Sequence, residues 1–286
     1  MNTTLHRILW PEKRASSVIF ASPHSGRAYP REFLAGSLLD DHLIRSSEDA
    51  FVDQLFASAP DHGAPLLLAD VPRAYVDLNR AHDELDPALI AGLRSAPQNP
   101  RIASGLGVIP RVVANGRAIY RGKITAEEAE ARIARHWHPY HQSLQRLLAE
   151  SRASCGEAIL IDCHSMPHEA VDGIARSGLR RPEVVLGDRF GASADSDVVE
   201  AVESAFRRAG LTVARNTPFA GAYTTQAYGH PSRRQHVLQI EIDRSLYMNE
   251  LTIRPNAHFE TFRVLLDGII RDIIRIGAEP KRLAAE

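Results

Sequence analysis

Short apolar runs that end in polar residues constrain this chain more than any other feature. SVIFA (17–21), PLLLA (65–69), AILI (158–161) and HVLQIEI (236–242) are rich in Val, Ile and Leu. Each has the length of a buried strand rather than of a helix. Further strand candidates are Ala74 to Leu78, Val184 to Leu186 and Leu211 to Ala214. Between them lie stretches with helical spacing: about Asp40 to Ala59, Thr125 to Ser151, Asp195 to Ala209 and Pro255 to Ile276. Asn115-Gly116, flanked by apolar residues, predicts a hairpin within 107–122. Residues 81–105 carry many Pro, Gly, Ser and Asn residues and predict a long surface loop. Alternating strands and helices imply an α/β fold: an open, mostly parallel (mixed) sheet with helices on both faces. With 286 residues, no internal repeat and no linker, one domain over 1–286 is expected.

The totals exclude several classes of function. A net charge of −1 gives no basic excess for nucleic acid or an anionic membrane. Two cysteines cannot form a disulfide scaffold, and they lack the partners of a thiolate zinc site. No apolar stretch has the length of a membrane span, and the N-terminus lacks the apolar core of a leader. A cytoplasmic protein acting on a small molecule, as a monomer or small homo-oligomer, is the expectation. No G-x-S-x-G, P-loop or complete dinucleotide loop occurs, and in HEAVD (168–172) Asp172 stands where a metalloprotease helix carries its second histidine.

In an open α/β sheet the ligand site lies beyond the carboxyl ends of the strands. His24, in SPHSG, and His164, in IDCHSMP, each follow an apolar run there. Two imidazoles on one sheet edge suit a divalent metal, zinc first, with a third ligand from Glu48 or Asp49 in SSEDAFVD. Asp162 is placed to orient a ligand histidine or to stabilise a loop. In VDLNR, Asn79 and the planar fork of Arg80 suit a substrate carboxylate, although arginine is this chain's usual cation, with three lysines among 34 basic residues. In VLQIEIDR, period-2 alternation sets Gln239, Glu241 and Asp243 against Leu238, Ile240 and Ile242, so Glu241 is a carboxylate in partly apolar surroundings, the condition for a general base. HWHPYH (136–141) reads as helix packing rather than a metal cluster.

The segments SPHSGRAYP, EDAFVDQLF, DVPRAYVDLNR, IYRGKIT, HPYHQSL, IDCHSMP, NTPFAGAYTTQAYG and HVLQIEIDRSLYM, in order from 22 to 248, resemble the N-formylglutamate amidohydrolase family. The resemblance implies a zinc enzyme on an open, carboxypeptidase-like sheet of the phosphorylase/hydrolase kind. It implies hydrolysis of N-formyl-L-glutamate to formate and L-glutamate, late in histidine degradation. It also implies roles: His24, Asp49 and His164 as zinc ligands, Asn79 and Arg80 on the substrate carboxylate, Tyr223 closing over the ligand and Glu241 as base. Arg27 stands where carboxypeptidases carry their acidic ligand, so the acid comes from elsewhere; the family pattern favours Asp49 over Glu48. Arg121, in IYRG, is the expected oxyanion cation, and Arg233 or Arg234 the expected partner of a second carboxylate.

Overall fold

The computed structural model describes residues 5–93, 99–176 and 180–278. Seven strands form the main sheet: β1 His6–Leu9, β2 Val18–Ser22, β3 Leu66–Ala69, β4 Ala158–Met166, β5 Val184–Gly187, β6 Val213–Arg215 and β7 Gln235–Asp243. Their spatial order is β1-β3-β2-β4-β7-β5-β6. β3, β2, β4 and β7 are mutually parallel; β1 runs antiparallel to β3, and the parallel pair β5·β6 joins β7 antiparallel. The helices are α1 Arg31–Gly36, α2 Val52–Leu55, α3 Pro100–Ala103, α4 Ala126–Arg132, α5 His138–Cys155, α6 Asp172–Arg176, α7 Ser196–Arg208, α8 Tyr223–Tyr228 and α9 Phe259–Ile276. Short strands β8 Met248–Asn249 and β9 Arg254–Pro255 pair before α9.

Alternation divides each central strand between two cores. Val18, Phe20, Leu66, Leu68, Ile159, Ile161, Leu238 and Ile240 face α2, α7 and α9. Ile19, Ala21, Leu67, Leu160 and Val237 face α4 and α5. With both faces covered, the strands read as continuous apolar runs rather than as alternating ones. In α9, Phe262, Leu266, Ile269, Ile270 and Ile273 recur at three- and four-residue steps and are buried, each contributing about 2 kcal/mol of transfer free energy. Thr125 caps α4 by accepting from the Glu128 amide at 3.1 Å. Pro139 lacks the amide that would continue an α pattern, and the five residues before α5 form a π turn.

Three expectations change. The helix expected from Asp40 to Ala59 is broken into a 3-10 turn at Leu43–Arg45 and the short α2. The Asp49 amide donates instead to the His24 carbonyl at 3.1 Å, and Phe51 takes a left-handed φ of 68°. The break turns the buried Asp49 inward. Ala74 to Leu78 is not a strand: the Tyr75 and Val76 amides both fold back on the Pro72 carbonyl. β4 does not end at Ile161. It runs to Met166 because β7 pairs with it over nine residues, from Ala158↔Gln235 to Met166↔Asp243. The turn at Asn115-Gly116 is present, with φ of 61° and 69° and a single antiparallel bridge, Val112↔Ala118. The long loop is seen at 81–93 and 99–105, the latter containing α3; its remaining residues lie outside the described ones.

Candidate active site

Four side chains reach the site face from β4 and β7. Asp162 and His164 alternate with the buried Ile161 and Cys163, and Gln239 and Glu241 alternate with Leu238 and Ile240. The shared register makes His164 and Glu241 direct neighbours across the two strands. His24 comes from the loop after β2, and its ring centroid is 4.7 Å from that of His164.

Both Nδ1 atoms point at Asp49. His164 Nδ1 is 2.9 Å and His24 Nδ1 3.4 Å from Asp49 Oδ2. One ligand atom from each of His24, Asp49 and His164 lies within 4.8 Å of the other two. The Nε2 atoms are anchored on the far side: His24 to Asp77 Oδ1 at 2.7 Å, His164 to Asp162 Oδ2 at 3.1 Å. A carboxylate behind each imidazole fixes ring orientation and tautomer. Bonds of about 2.1 Å at tetrahedral angles put ligand atoms roughly 3.4 Å apart. Among the described residues His24 Nδ1 is buried without a hydrogen-bond partner, a costly state unless something binds it. The donor set and its orientation therefore fit a divalent cation. Glu48 is directed elsewhere, accepting from Tyr29 at 2.7 Å and from Arg45 at 2.9 Å.

The charges are strongly shifted. Burial pushes the Asp49 carboxyl up, but the hydrogen bond from His164 and the two adjoining imidazoles, His24 and His164, hold it well below the usual range. Asp77 is likewise held low against its burial, by His24 and Arg73. Burial opposes charge on His164, but Asp162 and Asp49 raise it well above an ordinary histidine. Glu241 goes the other way. Burial raises it to about 7; Asp49 adds to the rise, while His164, Arg73 and Arg244 oppose it. Its Oε1 accepts from Gln239 Nε2 at 2.8 Å.

The remaining expected residues divide. Asn79 is at the centre but its amide is committed: Nδ2 lies 3.2 Å from Asp162 Oδ2 and 3.1 Å from His164 Nε2, while Oδ1 accepts from the Thr224 amide at 2.8 Å and its hydroxyl at 2.9 Å. Arg80 donates to the Leu106 and Asn79 carbonyls and lies 4.0 Å from Glu84. Trp137 Nε1 holds the Arg80 carbonyl and His141 Nε2 meets that of Leu78, each at 2.9 Å. The HWHPYH helix thus supports the Asn79-Arg80 loop from behind. Tyr223 packs on Trp137 and His141.

Arg121 is exposed and lines a separate cavity of about 500 Å³ with Tyr75, Tyr120 and Arg132. Arg234 binds the Gly156 carbonyl and Glu157, at the amino end of β7. The cations beside the histidine pair are Arg73, 3.0 Å from Asp77 and 3.8 Å from Asp49, and Arg244, 3.0 Å from Asp49. Neither is among the residues expected from the sequence. The available signals were the four-residue step from Arg73 to Asp77 and the three-residue step from Glu241 to Arg244.

An open α/β sheet with a His–Asp–His cluster at the carboxyl ends of its central strands, beside a glutamate of raised pKa, has the layout of a hydrolase. The sequence profile of the N-formylglutamate amidohydrolase family matches residues 16–248. The chain belongs to that family. It is 28% identical over 272 residues to an N-formylglutamate deformylase of Pseudomonas putida, covering 92% of this chain and 94% of that one. It is 29% identical over 264 residues to an N-formylglutamate deformylase of Pseudomonas aeruginosa, covering 90% and 91%. The crystal structure of an N-formylglutamate amidohydrolase from Ralstonia eutropha JMP134 superposes with a TM-score of 0.88 at 34% identity, covering 95% of this chain and 98% of that one. No helix among the described residues is long and apolar enough to cross a membrane.

Proposed function

We propose that this protein hydrolyses the amide bond of an N-formyl amino acid, N-formyl-L-glutamate first, to formate and the free amino acid. The observation that carries the proposal is the convergence of His24 Nδ1, His164 Nδ1 and Asp49 Oδ2 within 4.8 Å, beside a buried Glu241 raised to about 7. His24, Asp49 and His164 would hold a zinc ion, which when bound supplies a Lewis acid that polarises the formyl oxygen and acidifies the attacking water. Glu241 takes the proton of that water and returns it to the departing nitrogen. A base of pKa near neutrality is matched to both transfers. Arg73, in place of Arg121, offers the fixed positive charge for the developing oxyanion. Arg80 faces the substrate α-carboxylate, and Asn79 orients His164 while it holds the Thr224 amide beside Tyr223.

The test is formate release from N-formyl-L-glutamate by wild type and by Glu241→Gln, with metal content measured in both. A fall of about 100-fold or more with metal retained is expected from loss of a general base. An unchanged rate would remove Glu241 from that role, and full activity in chelated, metal-free protein would remove the cation from the scheme.

A further inference from the structure

An N-formylated dicarboxylic amino acid carries two negative charges, and Arg80 faces one of them. The expected partners of the other, Arg233 and Arg234, precede β7 at its far end. A different pair of guanidiniums lines a cavity whose wall includes Tyr223. The cavity, of about 560 Å³, is lined by Arg101, Arg189, Ala222, Tyr223, Gln226 and Glu84 among others. Its wall is tied directly to the reacting groups. The Ala222 amide donates to Gln239 Oε1 at 3.0 Å, and Gln239 Nε2 donates to Glu241 Oε1 at 2.8 Å. On the other side of Tyr223, Thr224 binds Asn79. Tyr223, held in the chain between these two anchors, forms part of the cavity lining.

Arg189 is presented by a fixed backbone. It and Phe190 both take left-handed conformations, with φ of 54° and 57°. Asn216 Oδ1 accepts from the amides of Asp188 and Phe190 at 3.1 and 3.3 Å. Asp188 Oδ2 accepts from Gly191 at 3.1 Å, and the Arg189 amide donates to the Ala220 carbonyl at 2.8 Å. Left-handed backbone at two consecutive non-glycine residues is retained only where surroundings enforce it, a pattern concentrated at ligand clamps. Neither Arg101 nor Arg189 has a carboxylate partner among the described residues. The one acid on the wall, Glu84, accepts from Asn99 at 3.0 Å and lies 4.0 Å from Arg80, so the cavity keeps an excess of positive charge.

We infer that Arg189, with Arg101, forms a second anion subsite that selects substrates by the carboxylate at the end of their side chain. The inference rests on the N-formyl amino acid reading above and assigns the specificity of that same site. A guanidinium fork matches a carboxylate in two parallel hydrogen bonds, whereas the uncharged amide of a glutamine side chain offers one acceptor oxygen.

The experiment compares kcat/KM for N-formyl-L-glutamate with that for N-formyl-L-glutamine in the metal-loaded full chain. Arg189→Gln lowers the ratio roughly 10- to 100-fold, the range for loss of a charge-assisted hydrogen bond. Adding Arg101→Gln lowers it further, and Arg189→Lys restores part of it. A ratio equal to wild type in the double variant, at an unaltered thermal midpoint, overturns the subsite. Calorimetric binding of L-glutamate against L-glutamine separates this from failure of the hydrolytic reading. Absence of turnover with both amides, together with Arg189-dependent binding of L-glutamate, keeps the subsite and removes the reaction. Binding that does not depend on Arg189 removes the subsite.

Discussion

Glu241→Gln in metal-free protein gives a quantitative test of the buried carboxyl. Glu241 is 8% exposed, and its carboxyl is raised from an ordinary 4.5 to about 7. A carboxyl raised in the folded state binds more protons there than in the unfolded chain. Stability is therefore greatest below the unfolded value and is lost as pH rises through the folded one. Integrating one titration between pH 5 and 8.5 with these two values gives roughly 2.5 kcal/mol of stability lost by wild type. The substituted glutamine side chain cannot ionise, yet its amide oxygen can still accept from Gln239. Titrations that do not sense Glu241, the depressed Asp77 among them, are shared by the two proteins and cancel in the difference, whereas Asp49 and His164 enter through the raised value of Glu241 itself. Urea unfolding of both proteins in the presence of chelator, at pH 5 and at 8.5, measures that difference. The variant should gain about 2.5 kcal/mol on wild type across the interval. A stability difference that is flat with pH would show that Glu241 is ionised in the fold at pH 5, and the argument that burial sets its proton affinity would fail.

Other outcomes follow from the same contacts. Asp49→Asn removes the anionic member of the cluster and the partner of Arg244; bound zinc measured by mass spectrometry should fall at least tenfold relative to wild type, on the order expected for disturbing a metal site. Trp137→Phe deletes the hydrogen bond to the Arg80 carbonyl and should cost about 1 kcal/mol in urea unfolding, with a larger rise in KM than fall in kcat because it loosens a binding loop. Ile270→Ala opens the α9 core far from the site, and should cost about 3 kcal/mol while leaving kcat at low temperature as in wild type. Thr125→Ala removes the α4 cap and should cost about 1 kcal/mol.

The sheet was legible because its strands are short apolar runs bounded by polar residues, and period-2 alternation correctly set Gln239 and Glu241 opposite Leu238 and Ile240. The same alternation carries His164 and Asp162 onto one face, although the length of β4 was hidden. Polar residues at 162, 164 and 165 end an apolar run, but they do not end a strand that has a nine-residue partner. Leu43, Phe51, Val52, Leu55 and Phe56 have helical spacing, yet the hydrogen bond from Asp49 to His24 overrides local propensity and breaks the helix. Cation choice was the least legible step. IYRG and VPRAY both place an arginine beside a tyrosine or one residue from it, and beyond the four-residue step from Arg73 to Asp77 it is the tertiary fold that separates Arg121, on its own cavity, from Arg73. Arg234 could have been excluded from strand geometry, since seven residues at about 3.3 Å each put it some 23 Å along the chain from Glu241.

The unbroken ladder between β4 and β7 fixes the spacing of His164 and Glu241 by main-chain hydrogen bonding alone. The walls that choose a ligand, by contrast, hang on connecting segments such as 99–106, 187–193 and 216–224. The His164–Glu241 pair and the proposed anion subsite are thus built on separate parts of one scaffold. On the proposed reading, exchanging Arg189 or its loop would redirect the protein toward another acyl amino acid, while the rung between Glu241 and His164 stays as it is.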